Sequence, residues 1–258
     1  MLSALAALRG YASDDDNETA AAEAQTVEAA EQAQEHGGRV RCFPHVAGQF
    51  AVHCYVPLPP LPARVAALAS AACRAWAPQL QLVAPTRRAP GPPPRGPPAG
   101  EHHVSLSRVA PVSSLAAAME LVDALREALR GAPPPTGLRL APPCAALVND
   151  GLTRTFLALE ADAASACALG RCLRAVDDAF CSAGLPRFYA PPRPHASLAW
   201  ALGDCAPRVE AAAAAAEAEV ACGLHSADAS PLAWAFPLTA VILLVGQREH
   251  VVWGALPR

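Results

Sequence analysis

Two short stretches of the chain share the pattern His-x-Ser-Leu, at His103–Leu106 and at His195–Leu198. Ordinary residue frequencies predict two such matches in roughly one chain of this length in a thousand. Each stretch has the pattern of the start of a β-strand, in which residues i and i+2 project from the same face. Each motif should therefore present an imidazole beside a hydroxyl, while Val104 or Ala196 and the following leucine face the core.

Two imidazoles and two hydroxyls that converge on one cleft suit the cleavage of an RNA phosphodiester by its own 2′-OH. That reaction needs a base for the hydroxyl proton, an acid for the departing 5′-oxygen and donors for the non-bridging oxygens. His103 and His195 can supply the acid and the base, because the pKa of histidine lies near neutral pH. Ser105 and Ser197 would donate hydrogen bonds to the phosphate as charge builds up. The chemistry requires no metal and no other cofactor, and we expect none.

Other interpretations of the two motifs fit less well. Both histidines could be satisfied, half-buried side chains, an interpretation that suits a single motif better than a matched pair. Zinc binding would need a carboxylate or cysteine at ligand spacing, and neither accompanies His103 or His195. A serine nucleophile is disfavoured because side chains at i and i+2 lie beside each other and the chain has no Gly-x-Ser-x-Gly elbow. The other histidines near these motifs or strands, His45, His53 and His102, are expected to be structural.

Alternating β-formers and helical apolar spacing predict the elements that must position the motifs. Strands are expected at 39–43, 50–56, 103–109, 138–148, 153–160, 195–201, 238–245 and 249–254, and helices at 62–77, 114–130, 162–183 and 207–222. This order divides the chain into two similar lobes with one motif strand each. The sequence therefore predicts an α+β fold in which antiparallel sheets line a central cleft and helices lie outside.

Charge is unevenly distributed along the 258 residues. Residues 1–36 carry eight acidic side chains against the single base Arg9, which predicts a disordered acidic tail. Residues 37–258 form the predicted folded domain and carry a net charge of +4, with arginine as their only basic residue. A mildly basic domain permits RNA binding but argues against a broad phosphate-binding surface. Within it, the Pro/Gly-rich segment 84–100 is expected to form a mobile loop.

Cysteine usage and hydropathy indicate the compartment. The nine cysteines are scattered and include no Cys-x-x-Cys pair, as is usual for a reducing environment. The longest apolar stretch, about 231–246, contains two prolines and is too short to span a bilayer. We therefore expect a soluble, intracellular protein with no membrane partner.

The chain resembles the 2H phosphoesterases, whose signature is such a pair of histidine motifs, and within them the U6 small nuclear RNA phosphodiesterase family. The likeness covers most of residues 38–205. The stretches that carry it are 38–45, 52–57, 103–107, 153–160 and 188–200. The N-terminal stretch Leu8–Asp14 is similar to the acidic start of that family, whereas the residues after 205 match only loosely.

The resemblance implies a 3′→5′ exoribonuclease that trims the oligouridine 3′ end of U6 RNA in the nucleus and leaves a 2′,3′-cyclic phosphate or 3′-phosphate end. His195 would act as the base and His103 as the acid, and Tyr189 would stack on a terminal base. The expected partner is a single-stranded RNA 3′ end, bound by a monomer that needs no metal. Since the chain has no lysine, phosphate contacts would fall to arginines. The candidates are Arg108, Arg154 and Arg193.

Two alternatives remain. The first lies within the same superfamily: a 2′,3′-cyclic phosphodiesterase or an RNA 2′–5′ ligase-like enzyme that acts on small cyclic phosphates. The second is a 2H domain that binds RNA without cleaving it. Degenerate, non-catalytic members would be expected to lose a histidine or a serine from the motifs, and this chain keeps all four.

Overall fold

The computed structural model describes residues 43, 46–83, 102–222 and 232–255, which belong to one unit that begins at Phe43. The strands in this part of the chain are β1 (Phe50–Pro57), β2 (Gln81–Leu82), β3 (His103–Ser105), β4 (Ala110–Val112), β5 (Gly137–Val148), β6 (Arg154–Ala161), β7 (His195–Leu202), β8 (Trp234–Pro237), β9 (Ala240–Val245) and β10 (Arg248–Gly254). The helices are α1 (Ala63–Ala75), α2 (Leu115–Gly131), α3 (Ala163–Ser182) and α4 (Ala206–Cys222). The predicted acidic tail, the domain boundary at residue 37, most of the predicted strand 39–43 and the predicted loop 84–100 lie outside the described residues.

The strands pair into one antiparallel sheet with the order β10-β9-β1-β3-β7-β6-β5-β8, while β2 pairs with β7 and β4 with β1. The two motif strands, β3 and β7, are neighbours at its centre. On one side of them lie β1, β9 and β10, and on the other lie β6, β5 and β8. The predicted α+β class with two antiparallel halves is confirmed. The halves are not consecutive in sequence, however, because β9 and β10 return to pair beside β1.

Alternation along the central strands separates a core face from an open face. In β7, Ala196 and Leu198 are at most 1% exposed, whereas His195 and Ser197 are partly exposed. Val104 and Leu106 are likewise fully buried around Ser105. Apolar side chains at every second position gain free energy by leaving water, so they fix which face each motif presents. Both motifs therefore turn their histidine and serine away from the core.

The helices cover the sheet in pairs, α1 against α4 and α2 against α3. The Ser114 side chain accepts a hydrogen bond from the Ala117 backbone N–H (3.1 Å) and so caps the start of α2. Asp162 caps α3 in the same way through the Ser165 N–H (2.9 Å). Helix α2 buries the apolar stripe Leu121, Val122, Leu125 and Leu129. None of the described helices has the length and apolarity that a membrane span requires.

The predicted strand 103–109 is interrupted. The backbone N–H groups of Leu106 and Ser107 both donate to the carbonyl oxygen of Cys54, at 2.8 and 3.2 Å, and the Ser107 hydroxyl accepts from the Cys54 N–H at 2.8 Å. This sharing takes the next residues out of the ladder, as in a β-bulge, until β4 resumes pairing at Ala110. Arg108 therefore leaves the sheet. The short strands β2, β4 and β8 were not predicted.

Candidate active site

One backbone pairing joins the two motifs. Val104 of β3 lies opposite Ala196 of β7 in an antiparallel ladder. One residue to either side, the same register places His103 opposite Ser197 and Ser105 opposite His195. Directly opposed residues share a face and have Cβ atoms about 4.5–5.5 Å apart. The four predicted residues thus form one square, called here the His–Ser square, with the histidines at opposite corners.

The His103 ring is crowded although the residue as a whole is exposed at the cleft. Its centroid lies 5.1 Å from that of His53 and 5.2 Å from that of Tyr55. Burial of the ring, together with the positive charges that His195 and His102 would carry, lowers the pKa of His103 to about 4. In the free protein His103 is therefore neutral at neutral pH, and it needs a nearby anion to become an acid.

The hydrogen bonds of His195 define its tautomer. Its Nδ1 lies 2.7 Å from the carbonyl oxygen of Arg193. A carbonyl only accepts, so Nδ1 must carry the hydrogen, and Nε2 of the neutral ring is left with a lone pair that can take a proton. Burial lowers the pKa of His195, opposed by the bond to Arg193 and by the Glu160 carboxylate. His195 is thus the better base of the pair.

An ion pair supports this arrangement from the neighbouring strand. Glu160 of β6 lies opposite His195. The Arg193 side chain donates twice to it, from Nε to Oε1 at 2.7 Å and from Nη2 to Oε2 at 2.8 Å. A two-point guanidinium–carboxylate contact restricts both partners, so it steadies the residue whose carbonyl orients His195. Arg193, a predicted phosphate contact, is engaged in this pair.

A second cluster lies on β1, and the sequence interpretation missed it. His53 and Tyr55 project from the open face, because the residues between and beside them, Val52, Cys54 and Val56, are fully buried. His53 Nε2 lies 3.0 Å from the Ser105 hydroxyl oxygen. The Tyr55 hydroxyl donates to Glu249 Oε1 at 3.1 Å. The sequence interpretation did not foresee the contact of His53 with Ser105, since a strand pattern shows which face a residue has but not which strand pairs beside it.

Tyr189 lies on the loop before β7 and is 40% exposed. The guanidinium carbon of Arg108 sits 4.2 Å from the centre of its ring, in cation–π contact. Arg108 also donates from Nη1 to Asp150 Oδ2 at 2.5 Å, so it joins the β3–β4 segment to the β5–β6 turn. The Phe188 ring packs edge-on at 5.2 Å. The Tyr189 ring is held from two sides and still meets solvent.

The side chains of Arg108 and Arg154, the other two predicted phosphate contacts, are half-buried. Arg108 Nε and Arg154 Nε are buried and lack a hydrogen-bond partner within the described part of the chain. The Arg154 guanidinium lies 5.7 Å from the Phe156 ring centre. His102, by contrast, packs edge-on against Trp234 at 6.0 Å, and its Nδ1 lies 3.1 Å from the Ser197 carbonyl oxygen. Its expected structural role agrees with this placement.

Metal ligands do not gather among the described residues. No three His, Cys, Asp or Glu side chains in those ranges lie close enough to hold an ion together. The cysteines in the same ranges are free thiols, and burial raises the pKa of Cys54 and Cys172. The groups that line the open face here are imidazoles, hydroxyls, guanidinium groups and carboxylates.

Comparisons with known proteins show the family and the fold of the chain. Residues 16–252 match the family described as HVSL, an uncharacterised conserved protein. U6 snRNA phosphodiesterase 1 of Drosophila melanogaster is 30% identical over 174 residues, which make up 66% of this chain and 59% of that protein. The chain thus spans less than two thirds of that relative's length. The structure of Kluyveromyces marxianus Usb1 superposes with a TM-score of 0.50 at 14% identity, over 80% of this chain and 97% of the other, and so supports the fold. The chain belongs to the HVSL family and has the 2H phosphoesterase fold.

Proposed function

We propose that the protein is a 3′→5′ exoribonuclease that shortens the oligouridine 3′ end of U6 small nuclear RNA in the nucleus. The observation that carries the proposal is the His–Ser square: two imidazoles with different environments share one open face with two hydroxyls. The Drosophila relative named above, a U6 snRNA phosphodiesterase, supports the choice of substrate.

The proposal gives each histidine a role that its surroundings support. His195 Nε2, with its free lone pair, takes the proton of the 2′-OH, and the 2′-oxygen attacks the adjacent phosphorus. The bond from phosphorus to the 5′-oxygen of the leaving nucleotide breaks, and His103 gives that oxygen a proton. Ser105 and Ser197 donate hydrogen bonds to the non-bridging oxygens as their charge grows. The shortened RNA ends in a 2′,3′-cyclic phosphate.

A bound phosphodiester also prepares His103 for its role. The low pKa of His103 in the free protein follows from burial and from neighbouring imidazoles. An anion within a few ångströms favours the charged imidazolium, so binding of the substrate raises the pKa of His103 toward neutrality. The acid is thereby charged only when a phosphate is present. Water that attacks the cyclic phosphate, with the two histidines in exchanged roles, would open it to a 3′-phosphate.

Contacts outside the square suit a single-stranded RNA end. Tyr189 offers a partly exposed ring on which an unpaired base can stack, a contact worth about 1–3 kcal/mol. The Arg108 guanidinium, in contact with the Tyr189 ring, would donate to phosphate or ribose oxygens beside a stacked base. These groups are few and local, as expected for a protein that holds the last nucleotides of a strand. We propose a monomer that needs no metal ion.

A trimming assay in EDTA tests the proposal. The purified protein is incubated with a single-stranded RNA that ends in oligouridine, and the products are resolved by length while mass spectrometry defines the new terminus. Stepwise shortening with a phosphorylated 3′ end is the expected result. Ring-opening of a cyclic phosphate without shortening would favour the cyclic phosphodiesterase or ligase-like alternative. Binding of the RNA with neither reaction would favour a non-catalytic RNA-binding domain.

A further inference from the structure

His53 is a third imidazole at the site, and the two-histidine mechanism gives it no task. It lies on β1, on the same open face as Tyr55, and its ring meets the His103 ring edge-on at 5.1 Å. Its Nε2 is 3.0 Å from the Ser105 hydroxyl oxygen, a hydrogen-bond distance between residues 52 positions apart in sequence. A half-buried polar contact of this length between two strands restricts both side chains.

The direction of this hydrogen bond matters for Ser105. A serine hydroxyl has one hydrogen to donate and two lone pairs that accept. The non-bridging oxygens of a phosphodiester only accept. Ser105 can donate to the phosphate only if its hydrogen points into the cleft, and its bond to His53 must then use a hydrogen on His53 Nε2.

The surroundings of His53 are compatible with that tautomer. Burial, together with the charge that His103 would carry, lowers the pKa of His53 to about 3, so the ring is neutral and carries a single N–H hydrogen. The serine of the other motif is placed differently. Opposite Ser197 on β6 stands Ala158, whose methyl group can donate nothing. The contact to His53 thus distinguishes the first motif from the second.

We propose that His53 is a positioning residue, whose Nε2–H donates to Ser105 Oγ and so directs the Ser105 hydroxyl hydrogen toward the substrate phosphate. The inference rests on the proposed function of the His–Ser square. His53 itself touches no reacting atom and acts through Ser105.

A double-mutant cycle tests the proposal on the trimming reaction. The variants are Ser105→Ala, His53→Leu and the double replacement, with His250→Leu on β10 as a matched control. Loss of one phosphate donor lowers kcat by about 10²- to 10³-fold, and we expect His53→Leu alone to cause much of the same loss, chiefly in kcat rather than KM. In the Ser105→Ala background His53→Leu should add almost nothing. If the loss of kcat in the double variant equals the product of the losses in the two single variants, the proposal would be overturned.

A conservative replacement separates a hydrogen-bond role from a packing role. The His53→Gln side chain can place an amide N–H near the position of Nε2, so we expect it to keep kcat within a few fold of the parent. If kcat falls as far in His53→Gln as in His53→Leu, the result would count against the proposal. Thermal unfolding of each variant identifies replacements that fail to fold.

Nitrogen NMR of the imidazoles gives a readout that does not depend on cleavage. Signals of His53 are assigned by their loss in His53→Gln, and two-bond couplings report which nitrogen carries the hydrogen. An Nε2–H tautomer is expected, and an Nδ1–H tautomer would refute the inference. If the parent protein trims no RNA, the proposed function fails while the tautomer is still measured. If trimming needs both motif histidines but the cycle is multiplicative, only the inference about His53 fails.

Discussion

Val104 faces Ala196 across the β3–β7 ladder, and both side chains are fully buried. This pair of core residues, which carries no reactive group, sets the register that brings the two motifs together. A slip by one residue would turn the histidines and serines of one strand into the core. The register of this buried pair is thus a condition for the site.

Ala196→Leu should therefore weaken the protein and its site together. Extra methylene groups in a packed core cost about 1–3 kcal/mol and shift the backbone. We expect a lower midpoint of thermal unfolding and a reduced kcat for RNA trimming. Ala214→Leu on the exposed face of α4 is the matched control and should change neither quantity. If Ala196→Leu changes neither the midpoint of thermal unfolding nor kcat, the β3–β7 pairing can accommodate a larger side chain at this position.

Replacement of either motif histidine should abolish cleavage without abolishing binding. His103→Ala and His195→Ala each remove a proton-transfer group, whose contribution is typically about 10²- to 10⁴-fold in rate. Affinity for an oligouridine RNA, measured by fluorescence anisotropy, should stay within a few fold. His250→Ala should retain activity. Substantial activity in either motif variant would rule out the two-histidine mechanism.

Tyr189 should contribute to binding through its ring and not through its hydroxyl. Tyr189→Ala is expected to weaken oligouridine binding by about 1–3 kcal/mol, because a base loses its stacking partner. Tyr189→Phe keeps the ring and should bind almost as well as the parent. Arg108→Gln, which removes the guanidinium beside the ring, should have an intermediate effect. Equal affinity of Tyr189→Ala and the parent would contradict a stacking role.

Cleavage should depend on pH in a bell shape whose limbs move when RNA binds. In the complex with RNA His195 must be neutral, so kcat falls on the acid side, below the lowered pKa of His195. His103 must be charged, so kcat falls on the alkaline side, above the pKa of His103 that the bound phosphate has raised toward neutrality. In the free protein His103, with a pKa of about 4, is the weaker base of the two, so kcat/KM should stay level between about pH 4 and the pKa of His195 and fall outside that range. Rates measured from about pH 4 to about pH 8 check this, and a kcat that does not change with pH would contradict it.

Stability should fall in acid because His53 is held neutral. Its pKa in the folded chain is about 3, below the ordinary value of 6.5. Between these values the unfolded chain binds a proton that the folded chain does not, so the free energy of unfolding decreases as pH falls, by up to about 1.4 kcal/mol per pH unit for one imidazole. Urea unfolding at several pH values gives the free energy of unfolding as a function of pH, and this free energy should change less steeply with pH in His53→Gln than in the parent. Identical slopes would show that the ring titrates freely.

The sequence predicted the elements that carry the site better than the contacts between them. The alternation in His195–Leu198 correctly assigned the histidine and serine to the open face, and the bounds of β7 and α3 agree with the predicted ones within two residues. A period of two does not reveal which strand lies alongside, so the His53–Ser105 contact and the pairing of Glu160 with His195 were not foreseen. The bulge after Ser105 was missed as well, because it depends on hydrogen bonds to Cys54, a residue far away in sequence.

The register of β3 and β7 gives the His–Ser square a local twofold axis through the Val104–Ala196 pair. A half-turn about that axis exchanges His103 with His195 and Ser105 with Ser197, so these four residues alone cannot distinguish the two directions of a polynucleotide. RNA polarity must be selected by groups that break the symmetry, such as the Arg193 carbonyl beside His195 and the His53 imidazole beside Ser105. The order in which nucleotides leave the strand is therefore determined at the border of the square rather than inside it.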